Sequence, residues 1–250
     1  MKGGGAQHRP GRNRRAPCHS PAPLSKRRSM SPASRPILIA VDGPAASGKG
    51  TIARALARHF KLPHMDTGML YRAVALTMFR FGGDPKSEFE AVRACEGLAQ
   101  IDPTDPELRS EAVGSIASRI STYPGVRAAL LDRQRHFAAQ PAGAVLDGRD
   151  IGTVIAPHAT VKLFVTASAE VRARRRVREL LERGMPAHLE DVLIDIRARD
   201  ARDSGRDAAP LIQADDAELL DTSEMDIDQA IATAIGLVDA KLTALAPSRG

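Results

Sequence analysis

The sequence predicts an α/β fold, a parallel five-stranded sheet with helices on both faces. Three observations lead there. Short aliphatic runs recur along the chain, and most are followed by a stretch of helical period. The first run, PILIAVDG, is apolar without alternation, as a strand covered on both faces is. A chain of 250 residues with 43% apolar content can bury one large core. Aromatics reach only 3% and Trp is absent, so that core is expected to be Leu, Ile, Val and Ala.

The elements follow in order. Pro36 to Gly43 reads as the first strand, bounded by Pro and Gly, and KGTIARALARHF after it has helical period. LPHMD is the second strand and GMLYRAVALTMFRF its helix. Residues 82–112 read as irregular, because GGDP and DPTDPE are turn signals. PGVRAALLDRQRHFAAQ is a helix with Pro124 in its first turn. GAVLDGRD and VKLFVTA are the third and fourth strands. SAEVRARRRVRELLERG is a helix with Ser168 as N-cap and Gly184 just past its end. A further helix spans about Leu189 to Asp203, AELLDTS is the last strand, and DIDQAIATAIGLVDAKL closes the chain.

The formal charge of +6 belongs to one end. Residues 1–29 carry Lys2, Arg9, Arg12, Arg14, Arg15, Lys26, Arg27 and Arg28 and no acid. Removing those eight from the 36 basic residues leaves 28 against 30 acidic ones, a balance of −2. Residues 1–35, rich in Gly, Pro, Ser and Arg, are expected to be a disordered basic extension, and 36–250 the folded domain. Met30 is an alternative start, since regular patterning begins a few residues later. No apolar h-region follows the charges, which argues against a secretory signal; the acid-free composition loosely resembles an organelle transit peptide, but its prolines oppose an amphipathic helix. The charge also suits a nucleic-acid arm, yet no aromatic stacking partners accompany it, so no specific nucleic acid is expected. No apolar run approaches the ~20 residues that cross a bilayer, so no membrane association is expected. Cys18 and Cys95 show neither disulfide nor metal spacing, which fits a cytoplasmic protein.

The strongest motif is Gly43-Pro44-Ala45-Ala46-Ser47-Gly48-Lys49, between a strand and a helix. Glycines let successive N–H groups turn toward a phosphate, the helix N-terminus adds its positive end, and Lys49 adds a full charge. This makes the fold P-loop NTPase-like. Gly50 stands where Ser or Thr commonly donates a hydroxyl to Mg²⁺, so that hydroxyl falls to Thr51. The pattern through Gly50 and Thr51 is similar to that of nucleoside monophosphate kinases, which move the γ-phosphoryl of ATP onto a nucleotide phosphate. Ala46 occupies a place where Gly often stands, tolerable only if its φ is negative.

MDTGMLYR and DGRDIGT follow the second and third strands at their carboxyl ends, where ligands bind in open α/β sheets. RARDARDSGR then brings Arg199, Arg202, Asp203 and Arg206 close together, with Pro210 and Leu211 downstream. In this order the motifs resemble those of the bacterial cytidylate kinases, from about Ile37 to Leu245. The resemblance implies transfer from ATP, with Mg²⁺, to CMP or dCMP, by a monomeric enzyme of pyrimidine nucleotide metabolism. It assigns base reading to Ser118, Arg127 and Asp150. The acceptor phosphate goes to Tyr71, Arg72 and Arg149 with Thr67, and the ribose to Arg199 and Asp203 with Arg206 nearby. Asp147, ending its strand, is the candidate to hold Mg²⁺ through water, with Thr51. Lys49, Arg149 and Arg199 are the catalytic candidates. The base assignment is chemically coherent, because cytosine offers an N4 donor and N3 and O2 acceptors, which call for a carboxylate beside donors.

Arg172, Arg175 and Arg176 share a helical face. Arg172 and Arg176 are candidate clamps on the ATP phosphates; the alternative is a solvated face paired with Glu170 or Glu179. A mobile lid is expected over 183–200, since an open site would hydrolyse ATP. Arg72 to Ser118 spans only 46 steps, so the nucleotide-binding insert at about 82–117 is expected to be shortened relative to the family's small antiparallel sheet. Two other readings stay open. One is a kinase for another small acceptor, such as UMP, AMP or shikimate, which DGRD and the Asp203/Arg206 cluster oppose. The other is a nucleotide-dependent binding module using the basic arm on nucleic acid, which the absence of a guanine-reading Asn-Lys-x-Asp stretch opposes.

Overall fold

The computed structural model describes residue 1 and residues 36–245; the expected basic extension lies outside the described residues. Five strands, β1 (Leu38–Asp42), β2 (His64–Asp66), β3 (Ala144–Gly148), β4 (Val161–Thr166) and β5 (Glu218–Asp221), form one sheet in the order β2-β3-β1-β4-β5. All four pairings are parallel, so every strand delivers its carboxyl end to the same edge. The register places Asp42 opposite Gly148, and Asp66 opposite Asp147.

Helices cover both faces, as parallel strands require. Helix α1 (Lys49–Phe60) and the last helix of the described residues (Ile227–Leu245) pack on one face around Ile39, Val41, Ile52, Leu56, Leu163 and Val238. On the other, Leu38, Ala40, Leu146, Ile151 and Ile155 meet α5 (Pro124–Ala138) through Ala138. A third cluster joins α2 (Thr67–Phe81), α3 (Glu88–Ala94), α4 (Glu111–Ile120) and α5 around Leu76, Val113, Ile120 and Leu130. These clusters are aliphatic, and truncating one such residue, Leu56→Ala, is worth about 2–5 kcal/mol.

The segment expected to be irregular is substantially helical. Ser87 caps α3 by accepting from the N–H of Glu90, and Ser110 caps α4 by accepting from that of Val113. Between them lie 3-10 turns at Cys95–Gln100 and Pro106–Arg109. Turn signals outweighed two short helices whose caps are visible in hindsight: Ser87-Glu-Phe-Glu90 has the Ser-x-x-Glu spacing of a capping box. No strand occurs within 82–117.

Two further helices, α6 (Ala169–Glu182) and α7 (Leu189–Ser204), form a hairpin beyond β4. Ser168 caps α6 from its Oγ, accepting from Val171, and Gly184 takes φ +72° just past the helix end. Helix α8 is the closing helix Ile227–Leu245.

Candidate active site

The segment Gly43–Lys49 runs from β1 into α1. Gly43 passes so close to β4 that a Cβ there would lie 2.0 Å from the carbonyl oxygen of Val165. Gly48, at φ +90°, begins α1. Ala46 departs from the sequence expectation: its φ is +58°, in the left-handed region, which for a residue with a Cβ costs about 1–2 kcal/mol. At Gly50 the backbone passes the Asp147 carboxylate, and a Cβ would meet its Oδ2 at 3.6 Å.

Above this loop lies a cavity of about 610 Å³, within the usual range for ligand sites, walled by Ala45, Ala46, Lys49, Arg176, His188 and Arg199 among others. Lys49 is pushed down to about 8, first by burial and then by the Arg149 charge, against the pull of Asp147 and Asp66. Asp147 is 2% exposed and accepts from His64 Nε2 at 2.7 Å. Thr67 donates its hydroxyl to the Asp147 carbonyl at 2.8 Å. Asp66 is raised, chiefly by burial and next by Asp147. Thr51 sits in the first turn of α1, where its hydroxyl accepts from Arg54 at 3.3 Å.

A second, smaller cavity of about 70 Å³ adjoins the first. All ten residues assigned to the acceptor, from Thr67 to Arg206, line it. Within it the charges are paired with one another. Arg127 forms an ion pair with Asp150 and donates to the Tyr71 hydroxyl at 3.4 Å. Asp203, 1% exposed, takes Arg149 Nε at 2.8 Å and is ion-paired with Arg206, which also donates to Ser121 Oγ at 3.1 Å. Burial works to raise Asp203, but Arg149, Arg206 and Arg199 outweigh it and hold the carboxyl below its usual range. Ser118 Oγ is buried without a hydrogen-bond partner among the described residues.

The two cavities share Arg72, Arg149 and Arg199. Arg72 donates to the Leu108 carbonyl at 2.7 Å and lies against Gly114, where a Cβ would stand 2.8 Å from Nη2. Burial, then Arg176, lowers its pKa. Arg199 is pushed down to about 10 by burial and by Arg149; its Nε has no partner, and among the described residues it forms no ion pair. Crowded, desolvated guanidinium groups of this kind favour an incoming anion.

Arg172 and Arg176 are separated by their partners. Arg172, 5% exposed, is forked onto Asp200 at 3.0 and 2.6 Å and donates to the Ala45 carbonyl at 3.2 Å, tying α6 to α7 and to the loop. Arg176 lines the larger cavity, ion-paired with Glu111 and with Glu179. Arg175, on the same face, is occupied by Thr222, at 3.0 Å to its hydroxyl and 2.7 Å to its carbonyl.

Sequence reasoning missed Asp42, His64, Asp66, Glu111 and Asp200. For His64 and Asp66 a signal existed: residues two apart in HMD point to one face, beside the next strand. Glu111 and Asp200 carried none, because their roles arise from helix pairing.

Comparison with known proteins agrees with this layout. The family model described as cytidylate kinase matches residues 39–240. A cytidylate kinase from Xanthobacter autotrophicus is 58% identical over 207 residues, covering 82% of this chain and 98% of that protein. Those from Paramagnetospirillum magneticum and Caulobacter sp. are 53% and 54% identical over 207 and 202 residues, with 98% and 94% of their lengths covered. A crystal structure of an uncharacterized protein from Eubacterium ventriosum superposes with a TM-score of 0.50 at 15% identity over 82% of this chain and 98% of its own, a likeness of fold alone. With its model matched over most of the chain and relatives above half identity along nearly their whole length, the chain belongs to the cytidylate kinase family.

Proposed function

We propose that the chain transfers the γ-phosphoryl group of ATP to CMP, and to dCMP, releasing ADP and CDP or dCDP. The observation that carries this reading is the junction of a large cavity at the phosphate loop with a small one lined by the acceptor residues, where Arg72, Arg149 and Arg199 converge. The family membership supports the choice of acceptor. The bond from γ-phosphorus to the β–γ bridging oxygen breaks, and one forms to an oxygen of the CMP phosphate. That oxygen is already ionised near neutral pH, so no general base is needed.

Phosphoryl transfer is mainly positioning and charge neutralisation. Loop amides and Lys49 hold the donor phosphates. Arg72 and Arg149, with Tyr71 and Thr67, hold the acceptor phosphate, and Arg199 faces the phosphoryl in flight. Ser118, Arg127 and Asp150 read cytosine, Asp150 accepting from N4; uracil would turn a carbonyl toward that carboxylate, a mismatch such sites reject strongly. Asp203 and Arg206 hold the ribose. Arg176 and, less directly, Arg172 steady the donor side, and residues 183–200 close over it. Because the acceptor cavity is small and its charges are mutually paired, binding has to open the Arg127–Asp150 and Arg149–Asp203 pairs.

Among the described residues no cluster of three or more His, Cys, Asp or Glu could hold a metal. That fits magnesium, which binds through one or two carboxylates, waters and substrate phosphates. Thr51 and Asp147 are the residues that would hold it, and the ion would supply charge neutralisation on the β and γ oxygens. No helix among the described residues is long and apolar enough to cross a membrane. A cytoplasmic setting completes the reading.

The other kinase readings gain support only from the loop, which any acceptor would share, and the binding-module reading rests on an arm outside the described residues. Product identification decides: incubated with ATP and each of CMP, dCMP, UMP, AMP and shikimate, the protein should give CDP or dCDP matched one-to-one by ADP. UMP matching CMP, or shikimate or AMP as the preferred acceptor, would overturn the assignment.

A further inference from the structure

Asp42 ends β1 immediately before the phosphate loop, and nothing in the mechanism above uses it. Its side chain is buried, the residue being 5% exposed. Its Oδ1 accepts from the N–H of Ile151 at 2.8 Å and its Oδ2 from that of Gly152 at 2.7 Å. Those two residues open the π-helical turn Ile151–Ile155, and Asp150 immediately precedes it without capping it. The first N–H groups of any helical turn lack internal partners. Here a carboxylate brought alongside by the β1–β3 register satisfies both, as charge-assisted bonds. The carboxylate of Asp150 is thereby left to Arg127.

The fit is close. A Cβ on Gly152 would stand 3.3 Å from Asp42 Oδ2 and 3.1 Å from Lys162 Cδ. Burying a carboxylate is unfavourable unless hydrogen bonds compensate it. The charges facing it are Asp150 from the turn after β3 and Lys49 from α1, while Lys162 on β4 passes with its stem and pairs its ammonium with Asp216 at 2.8 Å.

We propose that Asp42 is a positioning residue for base recognition: it fixes the turn from which Asp150 faces the acceptor's base, and ties that turn to the floor of the phosphate loop. The inference rests on the CMP-phosphorylating reading above. Asp42 lines neither cavity. Its loss is therefore expected to degrade acceptor choice more than use of ATP.

The test is Asp42→Asn in the full chain, which keeps the shape and turns one acceptor into a donor facing an N–H. Measured are kcat/KM for CMP and for UMP, KM for ATP, and Tm. A folded variant should lose roughly tenfold or more in kcat/KM for CMP, with the CMP-over-UMP ratio falling and KM for ATP within about twofold of the parent. An unchanged ratio, or equal losses for CMP, UMP and ATP, overturns the inference. Should the variant not fold, the unsubstituted protein still decides. Burial raises Asp42 to about 6, so it gains a proton in mild acid and ceases to accept both N–H bonds. The two acceptors carry the same titrating phosphate, so the CMP-over-UMP ratio cancels it. That ratio should fall between about pH 7.5 and about pH 5.5, and a flat ratio overturns the inference. Absence of CMP phosphorylation by the unsubstituted protein at pH 7.5 instead removes the underlying reading, and the two failures are thus told apart.

Discussion

Arg149 donates from Nε to Oδ2 of Asp203 at 2.8 Å, joining the turn after β3 to the end of α7, 54 residues away in sequence. Two groups assigned to different parts of the acceptor thus hold each other, and Arg206 takes the other oxygen of the same carboxylate. One internal carboxylate thus holds two cations of the smaller cavity.

Removing that anion leaves buried guanidinium charge uncompensated. Asp203→Asn should destabilise the fold by on the order of 3 kcal/mol and raise KM for CMP. The pH sign follows from the depressed carboxyl: its stabilisation is present above its ordinary value of 3.8 and is lost as pH falls through the lower folded value. Thermal melts of both proteins, compared from neutral pH downward, should converge in acid. A gap that widens in acid would contradict this role.

Lys49 is pushed down to about 8, so the free protein carries this charge below that pH and sheds it above. Bound triphosphate favours the charged form. The ratio kcat/KM, which reports the free enzyme, should therefore fall as pH rises past about 8, while kcat should hold to higher pH. Lys49→Ala should abolish nearly all transfer; substantial residual turnover would remove Lys49 from the catalytic groups.

Gly114 gives Arg72 its space on α4. Gly114→Ala places a Cβ 2.8 Å from Arg72 Nη2, and the flexible guanidinium is what yields. Alanine favours the helix by about 0.5–1 kcal/mol, so Tm should hold or rise while KM for CMP increases several-fold. An unaltered KM would mean that Arg72 does not hold the acceptor from this position.

Ala46→Gly should relieve the positive φ in the phosphate loop. Against the ~1–2 kcal/mol of strain stands the ~0.5–1 kcal/mol of entropy that glycine forfeits on folding, leaving a gain of up to about 1.5 kcal/mol. Denaturant melts check it, and a loss of stability would contradict the strain.

The sheet was legible because β1, β3 and β4 are compact, largely aliphatic runs and helices of clear period follow β1, β2 and β4. The loop was legible because Gly48 and Lys49 stand between such elements. The ten residues assigned to the acceptor were named from motif order, and they line one cavity. What stayed hidden depends on pairing at a distance. Asp42 reads only as the polar end of a strand until the β1–β3 register sets it beneath Ile151 and Gly152. Arg172 reads as one of three arginines on a face until α7 presents Asp200 to it. The positive φ of Ala46 is one its own residue type opposes, so the residue alone gave no sign of it.

The most direct test is the ratio of kcat/KM for CMP to that for UMP, measured in the unsubstituted protein and in Asp150→Ala with ATP binding monitored alongside. The account predicts a preference for CMP by orders of magnitude that collapses in the variant while ATP binding survives. Equal turnover of UMP and CMP, or CMP turnover unchanged in Asp150→Ala, would contradict it.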